Sequence, residues 1–177
     1  MNTPTLTTHA PALSVGPPQL ALRPRAVHRR PRPADPLPAP DLRALQARRT
    51  ALNHAARAQP GPMHVVLYAL TVPGRAASGD LAAARGHAES QRLTVVGAPL
   101  VDTLDTVDAA HGSDDPLLRR AYARALQMLA DPASPVRGVV AVSRTAITPA
   151  DRLYEHQLTW YAHHRAGLWL VRDETGI

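Results

Sequence analysis

The sequence predicts an α/β fold: a three-layer domain around a four-stranded, mostly parallel sheet, in the order β-α-β-α-β-α-β. Three observations predict it. After Met63, four short apolar runs alternate with amphipathic segments, at Val65–Val72, Leu93–Val101, Val136–Val142 and Gly167–Val171. These runs are continuous and rich in β-branched residues, the pattern of strands covered on both faces. Readable helix starts lie between them, and strands separated by helices need right-handed crossovers and a parallel sheet.

The elements follow in chain order. Residues 1–40 hold ten prolines and no alternating apolar pattern, so they are expected to form a disordered or polyproline-like tail. Residues 41–62 are read as a short helix and linker. Asp41 can act as N-cap, Leu42, Leu45, Arg49 and Leu52 fall near one face, and Pro60-Gly61-Pro62 stops the helix. Residues 63–177 form the α/β domain. Its first helix is expected from a Ser78 cap to about Gln91. The second follows Asp115-Pro116, an N-cap with proline at the first helical position, with Leu118, Tyr122, Ala125 and Leu129 as its inner stripe. The third opens at Thr148-Pro149-Ala150-Asp151, a capping-box spacing, with Tyr154, Leu158, Tyr161 and Arg165 on one side.

Composition excludes several kinds of chemistry. The 177 residues contain no cysteine, so there is no disulfide framework, no thiolate nucleophile and no cysteine-ligated metal. No apolar run reaches the roughly eighteen residues of a membrane span, and no secretory signal is visible, so a cytoplasmic location without membrane association is expected. All 20 basic side chains are arginine. Residues 1–62 carry nine arginines against Asp35 and Asp41, a balance of +7, whereas residues 63–177 carry eleven against twelve acids, or −1. The basicity therefore belongs to the first third. Its densest stretch has Arg23, Arg25, Arg29, Arg30 and Arg32, which reads either as an electrostatic arm for nucleic acid or as a solvated linker. No aromatic residue is interleaved there for base stacking.

In a parallel α/β domain, chemistry collects at the carboxyl ends of the strands. Here those ends are 73–79, 102–115, 143–148 and 172 onward. No phosphate loop follows the first strand, since Pro73-Gly74-Arg75 has an isolated glycine, and no cofactor is predicted. Asp102, Asp105, Asp108, Asp114 and Asp115 match no calcium-loop spacing, and His156 and His163 stand about 10 Å apart along a helix, so no metal site is predicted either. Ser143-Arg144-Thr145 is a candidate anion site, a guanidinium between two hydroxyls at a strand tip. The competing reading pairs Arg144 with Asp102 across neighbouring strand ends.

From His64 to Ile177 the chain resembles the N-terminal catalytic domain of the serine recombinases, the resolvase/invertase family. The resemblance rests on four places: Leu67-Tyr68-Ala69-Leu70-Thr71-Val72 beside the family's Y-A-R-V-S; Val101-Asp102, where the family has an acidic residue; Val139–Thr145 beside an apolar strand ending in L-D-R-L-x-R; and the helix-to-strand passage Tyr154–Leu158 through Arg165–Val171, with its A-x-G-V-like turn. The family attacks a DNA phosphodiester with a serine at the end of the first strand. In this sequence Val72 holds the serine position and Leu70 the arginine position, and valine has no nucleophilic atom. Thr71, expected on the other strand face, is the nearest hydroxyl. Arg144 matches the first arginine of the family's pair and Ile147 replaces the second; the arginine expected before the second helix falls near Asp114-Asp115-Pro116. The family's dimerisation helix and DNA-reading region are not seen before Ile177.

The resemblance implies a catalytically degenerate, DNA-associated binding or regulatory module, with non-specific nucleic-acid contact through the tail. Two alternatives stand beside it. One is an enzyme acting on a phosphate-bearing ligand around Arg144 and Asp102, with Thr71 nearby. The other is a protein-binding adaptor using a surface near Trp160, Trp169 being read as core.

Overall fold

Nine of the apolar residues in the four predicted strands point alternately to opposite sides of one parallel sheet, and both sides are covered. The computed structural model describes residues 40–104 and 114–174. The five tail arginines Arg23, Arg25, Arg29, Arg30 and Arg32, and Asp105 and Asp108, lie outside the described residues.

In order, the elements are α1 (Leu42–Arg57), β1 (His64–Thr71), α2 (Ser78–Ser90), β2 (Thr94–Val95), β3 (Leu100–Thr103), a 3-10 turn (Pro116–Leu118), α3 (Arg120–Ala130), β4 (Val136–Ala141), the single turn α4 (Arg144–Ile147), α5 (Asp151–His163) and β5 (Gly167–Leu170). All strand pairs are parallel. Strand β1 is flanked by β4 on one side and by both β2 and β3 on the other, and β4 is flanked by β5.

The sheet therefore has five strands where the sequence predicted four. The Leu93–Val101 run is split: β2 pairs with His64 and Val65, β3 pairs with Tyr68 to Thr71, and after the Val96 N–H donates to the Val65 carbonyl at 2.9 Å, residues 97–99 leave the ladder between them. The reason lies in two residues. Gly97 takes φ of 71°, and Pro99 has no N–H to donate. The two pieces share one sheet position, beside β1, and both pair with it in parallel, as the sequence predicted for the sheet.

Side-chain alternation fills the layers. Val65, Leu67, Val140 and Trp169 meet Ala84 and Ala88 of α2 on one face. Val66, Tyr68, Val139, Leu168 and Leu170 meet Tyr122, Ala125, Leu126, Leu129, Tyr154, Leu158 and Tyr161 of α3 and α5 on the other. Trp169 dictates two glycines: a Cβ on Gly138 or Gly167 would run into its indole ring, and on Gly138 also into the Gly167 carbonyl oxygen at 2.8 Å. All four tyrosines of the chain are fully buried. Their hydroxyls are satisfied: Tyr122 donates to Gln157 Oε1 at 3.1 Å and lies 3.3 Å from the Tyr161 hydroxyl, while Tyr154 donates to Glu174 at 2.6 Å.

Helix starts differ in detail from the sequence reading. Asp41 caps α1 as expected, accepting from the Arg43 N–H at 3.0 Å. Ser78 is the first helical residue of α2, after Ala77. Asp115 caps the 3-10 turn and not α3, so Leu118 stands 75% exposed before the helix and is not part of the inner stripe. Arg165 lies beyond the end of α5 in a left-handed conformation, φ 53°. Thr148 accepts from the Ala150 N–H at 3.2 Å just before α5.

Helix α1 packs along β5 and against α5, in the same unit as the sheet. Its anchor is a buried ion pair. Arg49 donates through Nε and Nη2 to the two oxygens of Glu174 at 2.7 and 3.0 Å. Burial alone would raise the Glu174 carboxyl, but the Arg49 guanidinium and the Tyr154 hydroxyl bring it below its ordinary range. Asn53, one turn further on, accepts the Leu168 N–H at 2.8 Å and so covers the outer edge of β5.

Because the folded-state value of Glu174 is depressed, its contribution is present above the ordinary glutamate value of about 4.3 and is lost as pH falls through the folded value. Glu174→Gln is expected to cost about 3 kcal/mol at pH 7, since it leaves a buried guanidinium without a counter-charge. Urea unfolding at pH 7 and across the acid limb checks both: the variant should show a shallower acid limb than the native chain.

Candidate functional site

The strand order turns at β1, whose two neighbours lead the chain in opposite directions. In open parallel sheets that reversal opens a crevice at the carboxyl ends of the strands, where ligands bind. In this protein the crevice lies between the ends of β1 and β4 and has a volume of about 160 Å³. Its walls include Thr71 and Val72 after β1, Arg75 in the following turn, Asp80 in the first turn of α2, Ser143 and Thr145 after β4, and Arg172 after β5.

Local geometry explains how each comes there. Thr71 is buried and its hydroxyl donates to the Arg75 carbonyl at 2.7 Å, which, with the Arg75 N–H bound to the Val72 carbonyl at 3.1 Å, closes the turn through Gly74 at φ 80°. Ser143 and Thr145 hydroxyls lie 2.8 Å apart. Arg172 is placed by its N–H, which donates to the Val142 carbonyl at 2.8 Å and extends the β4–β5 ladder past the strand. Among the described residues, neither the Arg75 nor the Arg172 guanidinium has an ion pair or a hydrogen bond, and both residues are exposed. Among the described residues, Asp80 is the one carboxylate lining the crevice with Arg75 and Arg172, and it occupies the helix end where a negative charge is favoured.

The sequence-based candidates divide. Ser143, Thr145 and Thr71 come together at the crevice. Arg144 does not line it: its guanidinium turns back, pairs with Asp151 and donates to the Pro149 carbonyl at 3.2 Å, lying over the Tyr154 ring at 5.9 Å. Asp102 does not meet Arg144 either. It accepts the Tyr68 hydroxyl at 3.1 Å and the Ala121 and Tyr122 N–H groups at 2.8 and 2.9 Å, fastening the start of α3 to β1 and β3. Burial first, and then the Asp102 charge, push the Tyr68 hydroxyl well above its ordinary value, with Arg119 opposing. The expected pairing of Arg144 with Asp102 does not form: Asp151, seven residues on, takes the Arg144 guanidinium, and the α3 amides, which need an acceptor, take Asp102. Val72 is 48% exposed at the rim.

Arg75, Arg172 and Arg119 were missed by sequence reasoning. The strand-end rule named the segments holding Arg75 and Arg172 but attached the anion role to the hydroxyl-flanked arginine. Arg119 carries a signal of its own: a cation against the positive end of α3 is unfavourable unless engaged elsewhere. It is buried and donates to the Ala146 and Ile147 carbonyls at 3.0 and 2.7 Å, tying α3 to the turn after β4.

Trp160 is half-buried, and His164 stacks on its ring with centroids 3.8 Å apart, while Trp169 is core. Among the described residues, no three His, Asp or Glu side chains are grouped to hold a metal ion, and no helix is long and apolar enough to cross a membrane.

Asp102→Ala is expected to cost about 2 kcal/mol, because it strands the buried Tyr68 hydroxyl and two helix N–H groups. Its urea midpoint should fall, while Arg75→Ala leaves the unfolding free energy within about 0.5 kcal/mol of the native value, as expected of an exposed side chain. No family model, curated protein or solved structure matches this chain.

Proposed function

We propose that this protein is a binding module on a serine-recombinase-like scaffold, without phosphoryl-transfer activity, and that its strand-tip crevice seats a backbone phosphate of DNA. The observation that carries the reading is that Arg75 and Arg172 line one crevice with Ser143 and Thr145 at the reversal point of the sheet. Guanidinium forks and hydroxyls are the donors a phosphate needs.

Size favours one group of a polymer over a whole small molecule. About 160 Å³ is well below the ~300–1,000 Å³ of ordinary small-molecule sites. A phosphodiester enters such a crevice with the rest of the strand outside. The absence of a nucleophile from position 72 supports binding over cleavage: a valine side chain stands where the resembled family carries its attacking serine, and the Thr71 hydroxyl is committed to the Arg75 carbonyl. In this reading Arg23, Arg25, Arg29, Arg30 and Arg32 add a second, sequence-independent contact.

A short DNA duplex titrated with the full chain over a salt series tests the proposal. Arg75→Ala combined with Arg172→Ala should weaken binding about tenfold near 0.1 M salt and lower the log–log salt slope by about one. Replacing the five tail arginines with alanine should lower the slope further. Native-like binding by the crevice variant, with all salt dependence lost in the tail variant, would remove the crevice from the reading; no salt-dependent binding by the native chain would remove DNA altogether.

A further inference from the structure

The two outer edges of the sheet are finished differently. Along β5, α1 lies over the edge and Asn53 accepts the outward Leu168 N–H. Along β3, no described residue makes a corresponding bond. The Leu104 N–H donates to the Thr71 carbonyl at 2.7 Å, and the Leu70–Asp102 register continues that ladder. Backbone groups of one residue in a strand face the same neighbour and alternate along the chain, so Asp102 faces β1 while Val101 and Thr103 face outward. Neither outward N–H has an acceptor among the described residues.

Helix α3 runs beside this edge. Between them lies a groove of about 690 Å³, whose walls include Leu100 and Val101 on the strand and Arg120, Ala123, Arg124 and Gln127 on the helix. Arg120, Arg124 and Gln127 are exposed on one helix face, spaced four and three residues apart. Neither arginine has an ion pair among the described residues. Asp102, the carboxylate on the strand wall, is already occupied by the Tyr68 hydroxyl and the two α3 amides. Val101 is 40% exposed, and two further exposed leucines, Leu117 and Leu118, lie on the turn that enters α3.

An open ladder and a facing cationic helix together define an occupant. We propose that the groove between β3 and α3 docks an extended acidic peptide of a partner protein, which adds to β3 as a further strand and sets its carboxylates against Arg120 and Arg124. Strand addition explains the open backbone groups, and the two arginines select charge. A nucleic acid would use the arginines but has no part that completes a β ladder, so the peptide is the occupant that accounts for both walls.

Anisotropy of a fluorescent peptide, Glu-Val-Glu-Val-Glu-Val-Glu, titrated with the full chain is the test. The acidic peptide should bind at least about tenfold more tightly than the same peptide with lysine for glutamate. Arg120→Glu with Arg124→Glu should reverse that preference. Val101→Pro removes an N–H that the internal ladder does not use, so it should weaken binding about tenfold relative to Val101→Thr, which keeps that N–H. A peptide N-methylated at alternate residues asks the same question with the native protein, should Val101→Pro lower the melting temperature.

Several results would overturn the proposal. Equal binding of the N-methylated and unmodified peptides would reduce the contact to surface charge. Binding that appears only when residues 105–113 are replaced by a Gly-Ser linker would assign the edge to the chain's own loop. A dimer lost in Val101→Pro would assign it to a second copy, and a short duplex displacing the peptide from this groove would favour nucleic acid.

Discussion

The domain depends on the buried contact between Arg49 and Glu174, because it joins a helix that precedes the sheet to the segment that leaves it. Both partners are removed from water, so either alone would be costly; together, with the Tyr154 hydroxyl on the same carboxylate, each charge is met by a fork or a donor. The consequence reaches the sheet. With α1 held against β5, Asn53 can satisfy the edge, and Gln46 reaches Asp173 at 2.9 Å. An edge strand that would otherwise invite pairing is closed by the chain itself. At the opposite edge, no helix among the described residues lies over β3 in this way.

A second constraint acts through volume. Trp169 sits between β5 and α2 only because Gly138 and Gly167 leave the space its ring fills. On the other face four tyrosines take the place of larger aliphatic clusters, and their hydroxyls form local networks that fix α3 and α5 relative to the sheet. Tyr68 and Tyr122 meet edge to face at 5.1 Å, and Asp102 binds the hydroxyl of one and the amide of the other. These contacts place β1 and α3 and leave the strand tips clear. The crevice is a gap between strand ends, lined both by core-packed residues such as Leu70 and Ala146 and by exposed ones such as Arg75 and Arg172.

Much of the architecture was legible because it follows from periodicity. The apolar runs after Met63 gave the strands, their continuity gave burial on both faces, and Asp41 and Pro60-Gly61-Pro62 bounded α1. The interruption of the second run was written in Gly97 and Pro99, though an apolar run conceals it: hydrophobicity reports burial, not ladder bonds. The site was less legible. Ser143 and Thr145 were identified from their place at a strand end and Thr71 from its place beside position 72 in the family resemblance, but the arginine assigned with the hydroxyl pair was the neighbouring Arg144. A strand-end rule names a segment; it does not say that a carboxylate seven residues on will capture one guanidinium while those of Arg75 and Arg172 remain available.

Sequence alone determined the alternation of strands and helices, the absence of thiol chemistry, and the concentration of positive charge before residue 63, because each of these is a property of local pattern or composition. Tertiary structure decided the partners: Arg49 with Glu174 across 125 positions, Asp102 with Tyr68 and α3, Arg144 with Asp151, and Arg75 beside Arg172. Charge pairing depends on distance and burial, which become defined only after the sheet order is set. That order, turning at β1, is what makes a crevice from the ends of strands distant in sequence and, among the described residues, leaves one edge covered and the other without a partner.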